Sequence, residues 1–175
     1  MSTLSARIQS WEVHLLTRVA LWEADGTPVR VARWVTWTGD GPLYVLVPLG
    51  LAILDLSRAL VLLAACAAAF TVERALYASL KHTLRRPRPF ERIDGVRALV
   101  TPPDRFSFPS GHTSAAFLVA VLVGSMYPSA APALLAWAAA VGASRVCLAV
   151  HYPSDVLAGA LLGGGIGRLT YLLVR

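Results

Sequence analysis

The chain of 175 residues is 56% hydrophobic and only 15% charged, with a mean hydropathy of +0.60, and these values exclude an ordinary water-soluble domain. Its formal net charge is +6, but the basic residues concentrate between Lys81 and Arg105 instead of covering a soluble face. The composition therefore predicts a membrane protein that has the bilayer as a partner and does not bind nucleic acid.

The first 25 residues have the pattern of an amphipathic helix. Apolar residues recur at helical spacing between Ile8 and Trp22, while charged residues, among them Glu12, fill the other face. We expect this helix, residues 1–25, to lie in the membrane interface. A signal peptide is not expected, because the segment has no uninterrupted apolar core and no small-residue cleavage site follows it.

Four long apolar segments follow, and each is long enough, or nearly long enough, to cross a bilayer. They run from Ala59 to Leu80, from His112 to Tyr127, from Ala130 to Val150 and from Val156 to Val174. A fifth segment, Pro42 to Leu56, is shorter, and we expect it to span by extending back through Trp34 and Trp37 at the interface. The sequence thus predicts an all-α integral membrane helical bundle in a single domain, 1–175. It would have five transmembrane helices, or six if the N-terminal helix also spans.

The last apolar segment carries three glycines at four-residue spacing, Gly159, Gly163 and Gly167. Such a smooth face allows two helices to approach closely. We expect it to pack against a neighbouring helix of the same chain, and the alternative is a dimer interface.

Two charged residues, Glu73 and Arg74, interrupt the segment from Ala59 to Leu80. Charges at this depth in a membrane are often functional. We interpret them as a buried pair that holds the bundle together, with Glu73, Tyr77 and Lys81 on one helix face.

Alternation of the predicted spans brings three groups of polar residues to one side of the membrane. Lys81 ends one span and His112 begins the next, so the polar loop between them lies on that side. The following two spans form a hairpin, which returns Arg145 and His151 to the same side, where Asp155 begins the last span. Hydropathy alone therefore predicts that these residues converge.

The converging residues have the chemistry of a phosphate site. Lys81, Arg88 and Arg145 supply three cations, and the two planar guanidinium groups suit paired phosphoryl oxygens. Ser110 and Gly111 stand at the start of a predicted helix, where unpaired N–H groups and the helix dipole favour an anion and glycine permits close approach. We therefore expect a phosphoryl group to bind here.

Two histidines and an aspartate add reactive groups to this site. His151 is a candidate nucleophile, since the carboxylate of Asp155 can hold one ring nitrogen while the other is aimed at phosphorus. Because Pro153 argues against a continuous helix between them, we expect this contact in a turn. His112 is a candidate to protonate the departing oxygen. Asp40, between two glycines, is interpreted as a turn residue.

The remaining arginines near the site are interpreted as a solvated belt that faces lipid headgroups, and the alternative is a role in holding a diphosphate. They are Arg85, Arg86, Arg92, Arg97 and Arg105.

These residues resemble the three signature motifs of the type 2 phosphatidic acid phosphatase superfamily, which also includes vanadium-dependent haloperoxidases. The matching positions are Lys81, Arg88 and Pro89, then Pro109, Ser110, Gly111 and His112, and finally Ser144, Arg145, His151 and Asp155. The motif-bearing catalytic core thus runs from 81 to 155. Integral members often carry six spans, whereas here the amphipathic segment replaces the first.

The resemblance implies a metal-independent phosphatase without a cofactor that works through a phosphohistidine. It implies that His151 is the nucleophile, His112 the acid and Asp155 the residue that orients His151. The groups that bind the phosphoryl oxygens would be Lys81, Arg88, Ser110, Gly111 and Arg145.

The substrate implied is a lipid phosphate or diphosphate whose tail enters from the bilayer. We expect undecaprenyl or another polyprenyl diphosphate, with phosphatidylglycerophosphate and phosphatidate as alternatives. A vanadium haloperoxidase-like enzyme and a non-enzymatic membrane scaffold are more distant alternatives.

The membrane side of the site receives two conflicting indications. The positive-inside rule applied to the arginines places the site in the cytoplasm. Resemblance to cell-envelope phosphatases instead implies the extracytoplasmic face of a bacterial cytoplasmic membrane, which is our expectation.

Overall fold

The structure is a computed structural model that describes residues 3–22, 24–53 and 55–175, and the regular secondary structure within these ranges is helical. In chain order the helices are α1 (Thr3–Val19), α2 (Thr27–Thr38), α3 (Pro42–Ala52), α4 (Leu56–Leu84), α5 (Pro89–Arg92), α6 (Gly111–Met126), α7 (Ala131–Cys147) and α8 (Pro153–Val174). A short 3₁₀ turn, Pro128–Ala130, joins α6 to α7.

The long helices form a membrane bundle. Within the described ranges, three helical segments are long and apolar enough to cross a membrane: Leu56–Arg92, Pro128–Cys147 and Pro153–Val174. The apolar helix α6 is shorter, at 16 residues. These four elements coincide with the four long apolar segments of the sequence. The prediction of an all-α integral membrane helical bundle is therefore confirmed.

The segment before α4 differs from the expected fifth span. The helix α3 has 11 residues, which corresponds to a rise of about 16 Å against a hydrocarbon core of about 30 Å. The extension through Trp34 and Trp37 is not continuous with it, because α2 ends at Thr38 and the chain turns at Gly39. By itself α3 is too short to span.

A separate helix α2 was not expected from the sequence. It begins with Pro28 in its first turn and buries Val29, Ala32 and Thr36, which recur at helical spacing and pack towards α7. Its tryptophans, Trp34 and Trp37, are mainly exposed, as an interfacial location requires.

The N-terminal helix is present as predicted, but the division of its faces is different. Leu16 and Val19 are buried together with Glu12, whereas the apolar residues Ile8 and Trp11 are about half exposed. The prediction that Glu12 lies on the outer charged face is wrong, because its carboxylate bonds to groups of the bundle. The interfacial location of α1 stays a prediction.

The helix α6 lies at the centre of the bundle and packs against α4, α7 and α8. Its side chains are buried around most of the circumference, which explains why it is apolar on all sides. Leu118 and Leu122 share one buried cluster with Leu62 of α4 and Ile166 of α8, while Ala116 packs towards α7 in another. Because α6 is packed on most sides, the position of its first helical turn, which carries Gly111 and His112, is also fixed.

The glycine face of α8 is used within the chain. A Cβ atom added at Gly159 would lie 2.5 Å from the Ser110 carbonyl oxygen, and one at Gly163 would lie 1.8 Å from the Ser114 oxygen. The same addition at Gly167 would come within 2.6 Å of the Leu118 oxygen. The prediction that this face packs against a helix of the same chain is confirmed, and that helix is α6.

We predict that Gly163→Ala destabilises the protein by about 1–3 kcal/mol, because the new methyl group forces α6 and α8 apart. Thermal unfolding in detergent measures this loss. Gly165→Ala is the matched control, since a Cβ at that position would meet no described atom within 4 Å apart from its own stretch of helix. The control should be unchanged or slightly stabilised, because alanine favours a helix over glycine. Equal stability of the two variants would contradict the close packing.

Candidate active site

The three groups of motif residues meet at one end of the bundle, where α4 ends and α6 and α8 begin. The Ser110 N–H donates to the Asp155 carbonyl oxygen at 3.0 Å, which ties the start of α6 to the start of α8. Nη1 of Arg88 lies 3.4 Å from Nε2 of His151. The convergence that hydropathy predicted is therefore present in the structure.

Lys81 and Arg88 share one carboxylate, that of Asp104. Nζ of Lys81 donates to Oδ2 at 2.7 Å, and Nη2 of Arg88 donates to Oδ1 at 2.7 Å. The hydroxyl of Tyr77 donates to the same Oδ2 and contacts Nζ of Lys81, its neighbour one helical turn away. Each of the two carboxylate oxygens thus engages one of the two cations.

The charge state of Asp104 follows from these contacts. Partial burial alone would raise the pKa of Asp104, but the hydrogen bonds from Lys81 and Tyr77 outweigh it and lower the pKa to about 2. The carboxylate is therefore ionised across the physiological range and compensates one of the two positive charges that Lys81 and Arg88 bring.

Arg88 is held on several sides. It precedes α5, where Glu91 accepts a hydrogen bond from the Arg88 backbone N–H at 2.7 Å and Pro89 begins the helix. Its buried guanidinium donates to the Val150 carbonyl oxygen at 2.6 Å as well as to Asp104. The Arg88 side chain therefore links the loop after α4 to Val150, the residue that precedes His151.

Arg145 approaches the site from α7. It is buried, and Nη1 donates to the Thr36 hydroxyl of α2 at 2.6 Å. In the described part of the chain, its Nε has no hydrogen-bond partner. Arg145, Thr36 and His112 line a cavity of about 470 Å³ that Arg33 also borders. A buried donor beside a cavity is suited to an anionic ligand.

Ser110 and Gly111 begin α6 beside the cations. Ser110 is buried, and its hydroxyl pairs with that of Thr113 at 2.9 Å. A Cβ added at Gly111 would lie 2.9 Å from the Tyr77 ring, so glycine is needed for this close approach. The N–H groups of the first turn of an α-helix have no hydrogen-bond acceptor within that helix, so they are available to donate to an anion.

His151 and Asp155 meet in a turn, as expected, because α8 begins only at Pro153. Nδ1 of His151 lies 3.7 Å from Oδ2 of Asp155, which also accepts a hydrogen bond from the Tyr152 N–H at 2.9 Å. Burial lowers the pKa of His151 to about 4, with Asp155 opposing that shift and Arg88 adding to it. His151 is therefore neutral near pH 7. At 3.7 Å the contact of Nδ1 with Asp155 is longer than a hydrogen bond, and Nδ1 has no hydrogen-bond partner within the described ranges. Because a guanidinium can only donate, the neutral ring that accepts from Arg88 at Nε2 carries its proton on Nδ1.

Arg86 belongs to the site, which corrects its assignment to a solvated belt. Nη1 donates to Oδ1 of Asp155 at 2.6 Å and to the Ser154 hydroxyl at 2.7 Å. Nη2 donates to Glu12 of α1 at 2.8 Å. The reason for the error is that the pattern of charges in the loop does not reveal which arginine finds a buried carboxylate.

Asp40 also belongs to the site, in addition to its position in a turn. Its Oδ1 lies 2.8 Å from Nε2 of His112. His112 borders both the cavity near Arg145 and a second cavity of about 280 Å³, which is also lined by Phe70 and Arg74. His112 thus stands between a cavity lined by Arg33 and Arg145 and one lined by Arg74 and two aromatic side chains, Tyr44 and Phe70.

Glu73 and Arg74 form the pair that the sequence predicted. Glu73 is fully buried, and its two oxygens accept from Nε and Nη2 of Arg74 at 2.6 and 2.9 Å. The Arg74 side chain is about half exposed and lies over the Tyr77 ring, 4.3 Å from its centre. Only the glutamate is therefore buried, and the arginine borders the second cavity.

Sequence reasoning missed the acidic partners Glu12, Asp40 and Asp104 and the hydroxyl of Thr36. Spacing identified the cations and histidines, but their partners come from distant segments. A helical stripe formed by Glu12, Leu16 and Val19 was one available signal for a buried face. Among the described residues, no group of three or more His, Cys, Asp or Glu side chains is placed to hold a metal ion.

Comparison with known proteins gives a consistent family. A family model described as the PAP2 superfamily matches residues 58–175. A decaprenylphosphoryl-5-phosphoribose phosphatase of Mycobacterium tuberculosis is 37% identical over 107 residues, which cover 61% of this chain and 58% of that protein. An undecaprenyl-diphosphatase of Sulfolobus acidocaldarius is 30% identical over 131 residues, covering 74% of this chain and 64% of the relative. The chain thus matches less than two thirds of the length of these relatives.

A solved structure has the same overall fold. It is a transmembrane PAP2 type phosphatidylglycerolphosphate phosphatase from Bacillus subtilis, with a TM-score of 0.70 and 27% identity. The similarity covers 96% of this chain and 84% of that one. It therefore includes the helices that precede residue 58 as well as the motif-bearing core.

Proposed function

This chain belongs to the PAP2 superfamily, and on that premise we propose that it is a metal-independent membrane lipid phosphatase that acts through a phosphohistidine at His151. The observation that carries the proposal is the environment of His151. Its ring is buried and neutral, Asp155 stands behind Nδ1, and the guanidinium of Arg88 lies beside Nε2. A nucleophile backed by a carboxylate and facing cations is suited to attack a phosphoryl group.

The phosphoryl oxygens would bind to the cations now held by Asp104. Lys81 and Arg88 would exchange the carboxylate for two phosphoryl oxygens, and Nε of Arg145 would supply a further donor. The first-turn N–H groups after Ser110 add partial positive charge. Positioning and charge compensation of this kind account for most of the acceleration of phosphoryl transfer.

The reaction would proceed in two steps. Nε2 of His151 forms a bond to phosphorus while the bond to the leaving oxygen breaks, and His112 gives that oxygen a proton. Asp155 stabilises the positive charge that develops on the His151 ring. Water then attacks the phosphohistidine and gives a proton to His112, which releases inorganic phosphate and restores both histidines.

We predict that His151→Ala lowers phosphate release by about 1,000-fold or more, because the covalent route is lost. The measurement is phosphate release by detergent-purified protein, with a chelator present, from undecaprenyl diphosphate, phosphatidylglycerophosphate and phosphatidate. His82→Ala is the matched control, since His82 is exposed. Undiminished release by His151→Ala, or loss on chelation, would refute the mechanism. Peroxide-dependent halide oxidation with vanadate would instead identify a haloperoxidase-like enzyme.

Among lipid phosphates, we propose a polyprenyl diphosphate as substrate. The leaving group must lie beside His112, and the second cavity there is bordered by Phe70, Tyr44 and Arg74. An apolar wall suits a lipid chain. Arg74 suits a second phosphate, because the leaving group of a diphosphate is itself an anionic lipid phosphate. The relative named undecaprenyl-diphosphatase supports this choice.

We predict that neutralising this pair lowers kcat/KM for undecaprenyl diphosphate by about tenfold, which corresponds to one charge-assisted hydrogen bond. The variant combines Glu73→Gln with Arg74→Gln, because Arg74→Gln alone would leave buried Glu73 without a partner. Phosphatidate provides the comparison, since its leaving group carries no phosphate. Equal losses with both substrates would contradict a second phosphate site at Arg74.

We also propose that the site faces the outside of a bacterial cytoplasmic membrane, by analogy with cell-envelope phosphatases. Since α8 begins at the site and crosses the bilayer, the carboxy terminus would then be cytoplasmic. We predict fluorescence from a reporter that folds only in the cytoplasm when it is fused after Arg175. A periplasmic phosphatase reporter at the same position should be inactive, and the reverse result would place the site in the cytoplasm.

A further inference from the structure

A chain of short contacts links the N-terminal helix to the carboxylate behind His151. Oε1 of Glu12 accepts from the Ser154 N–H at 2.8 Å and from the Ser154 hydroxyl at 2.5 Å. Oε2 of Glu12 accepts from Arg86 at 2.8 Å, and Arg86 donates to Oδ1 of Asp155 at 2.6 Å. Arg86 thus bridges two carboxylates, one from α1 and one from α8.

Glu12 is buried to about the same degree as His151 and Asp155, with 2% of its surface exposed. A buried glutamate is costly unless its charge is compensated and its oxygens are bonded. Both conditions are met here, because Arg86 supplies the opposite charge at Oε2 and Ser154 donates two hydrogen bonds to Oε1. Glu12 lies before residue 58 and therefore outside the segment that the family model matches.

The charges of this cluster explain why two carboxylates are present. Arg86 alone would neutralise Asp155 and weaken its effect on the His151 ring. With Glu12 included, the three side chains carry a net charge of −1, the same as Asp155 without a partner. The guanidinium then fixes the orientation of Asp155 without cancelling the charge that acts on His151.

We propose that Glu12 is a positioning residue that balances the charge of Arg86, so that Asp155 is held in place and still stabilises positive charge on His151. The role rests on the proposed function of His151 as nucleophile. It makes the N-terminal helix a part of the active site, in addition to any contact with the membrane surface.

Other charges also act on His151 and remain constant in the test. Arg88 and Arg145 face it from the loop before α5 and from α7, and both disfavour its protonated form. Asp104 compensates Arg88 from the opposite side. These groups are left unchanged, so a shift in the titration of His151 reports on the cluster of Glu12, Arg86 and Asp155.

The experiment compares the titration of His151 in four proteins by NMR of ¹³C-labelled histidine in detergent. They are the wild type, Glu12→Gln, Arg86→Gln and the double variant Glu12→Gln with Arg86→Gln. His151→Gln identifies the resonance among the four histidines of the chain. Asp94→Asn, which removes one exposed negative charge, is the control for a general change in net charge.

The expected order follows from the net charge of the cluster. Glu12→Gln makes it neutral and should shift the titration of His151 to lower pH, while Arg86→Gln makes it −2 and should shift it to higher pH. The double variant returns it to −1 and should titrate like the wild type. Each single shift should be about one pH unit for a charge at this range.

The comparison of Arg86→Gln with the double variant is decisive. Both are expected to titrate at or above the pH at which the wild type titrates, so neither requires the more acidic conditions in which the protein unfolds. A shift to higher pH that the second substitution reverses supports the proposal. Shifts in the same direction for both single variants, or no shift, would overturn the proposal. Glu12 would then serve only to attach α1 to the bundle.

The result is separable from the proposed function because NMR does not depend on turnover. If phosphate release requires His151 but the charge order fails, only the role of Glu12 is wrong. If the order holds without phosphate release, the charge coupling stands and the phosphatase proposal is wrong. Glu12→Asp keeps the carboxylate and should therefore retain the wild-type titration, which checks that the charge at this position is what acts on His151.

Discussion

The ion pairs of Asp104 with Lys81 and Arg88 are the contacts on which the rest of the site depends. Two buried cations from the end of α4 and the start of α5 require a compensating charge. Asp104 supplies it and thereby fixes the loop that leads into Ser110 and the first turn of α6. On the proposed function, a phosphoryl group that enters would replace one compensating anion with another. The net charge around the cations would then change less than it would in a cluster without Asp104.

The second constraint is the close approach of α6 and α8. The glycine face of α8 allows backbone contacts, including the hydrogen bond from the Ser110 N–H to the Asp155 carbonyl oxygen. Backbone atoms lack the rotamer freedom of long side chains, so the turn that carries His151 is held at a fixed distance from the first turn of α6, where we propose that the anion binds. Precise placement of this kind is what catalytic positioning requires.

Prediction from the sequence succeeded for features that one continuous segment is enough to identify. Apolar length gave α4, α6, α7 and α8, and alternation of spans brought Lys81, Arg145 and His151 to one side. It failed for α2, because that helix buries only a narrow stripe and exposes its tryptophans. It also failed for the partners of the motif residues, since the contact of Arg145 with Thr36 joins positions 109 residues apart. No spacing rule encodes such a pair.

The partners that the sequence did not reveal are mostly carboxylates, and each bonds to a residue of the candidate site. Asp104 compensates the cations, Asp40 bonds to the candidate acid His112, and Glu12 bonds to Arg86 beside Asp155. Two of these three carboxylates precede residue 58, in segments that the family model does not match. On the proposed function, the signature motifs carry the reactive groups, and the charges around them are set by Asp104 inside the matched segment and by two carboxylates from the part of the chain before it. Because a charge acts over several ångströms, these segments can tune the site without contact with the phosphoryl group.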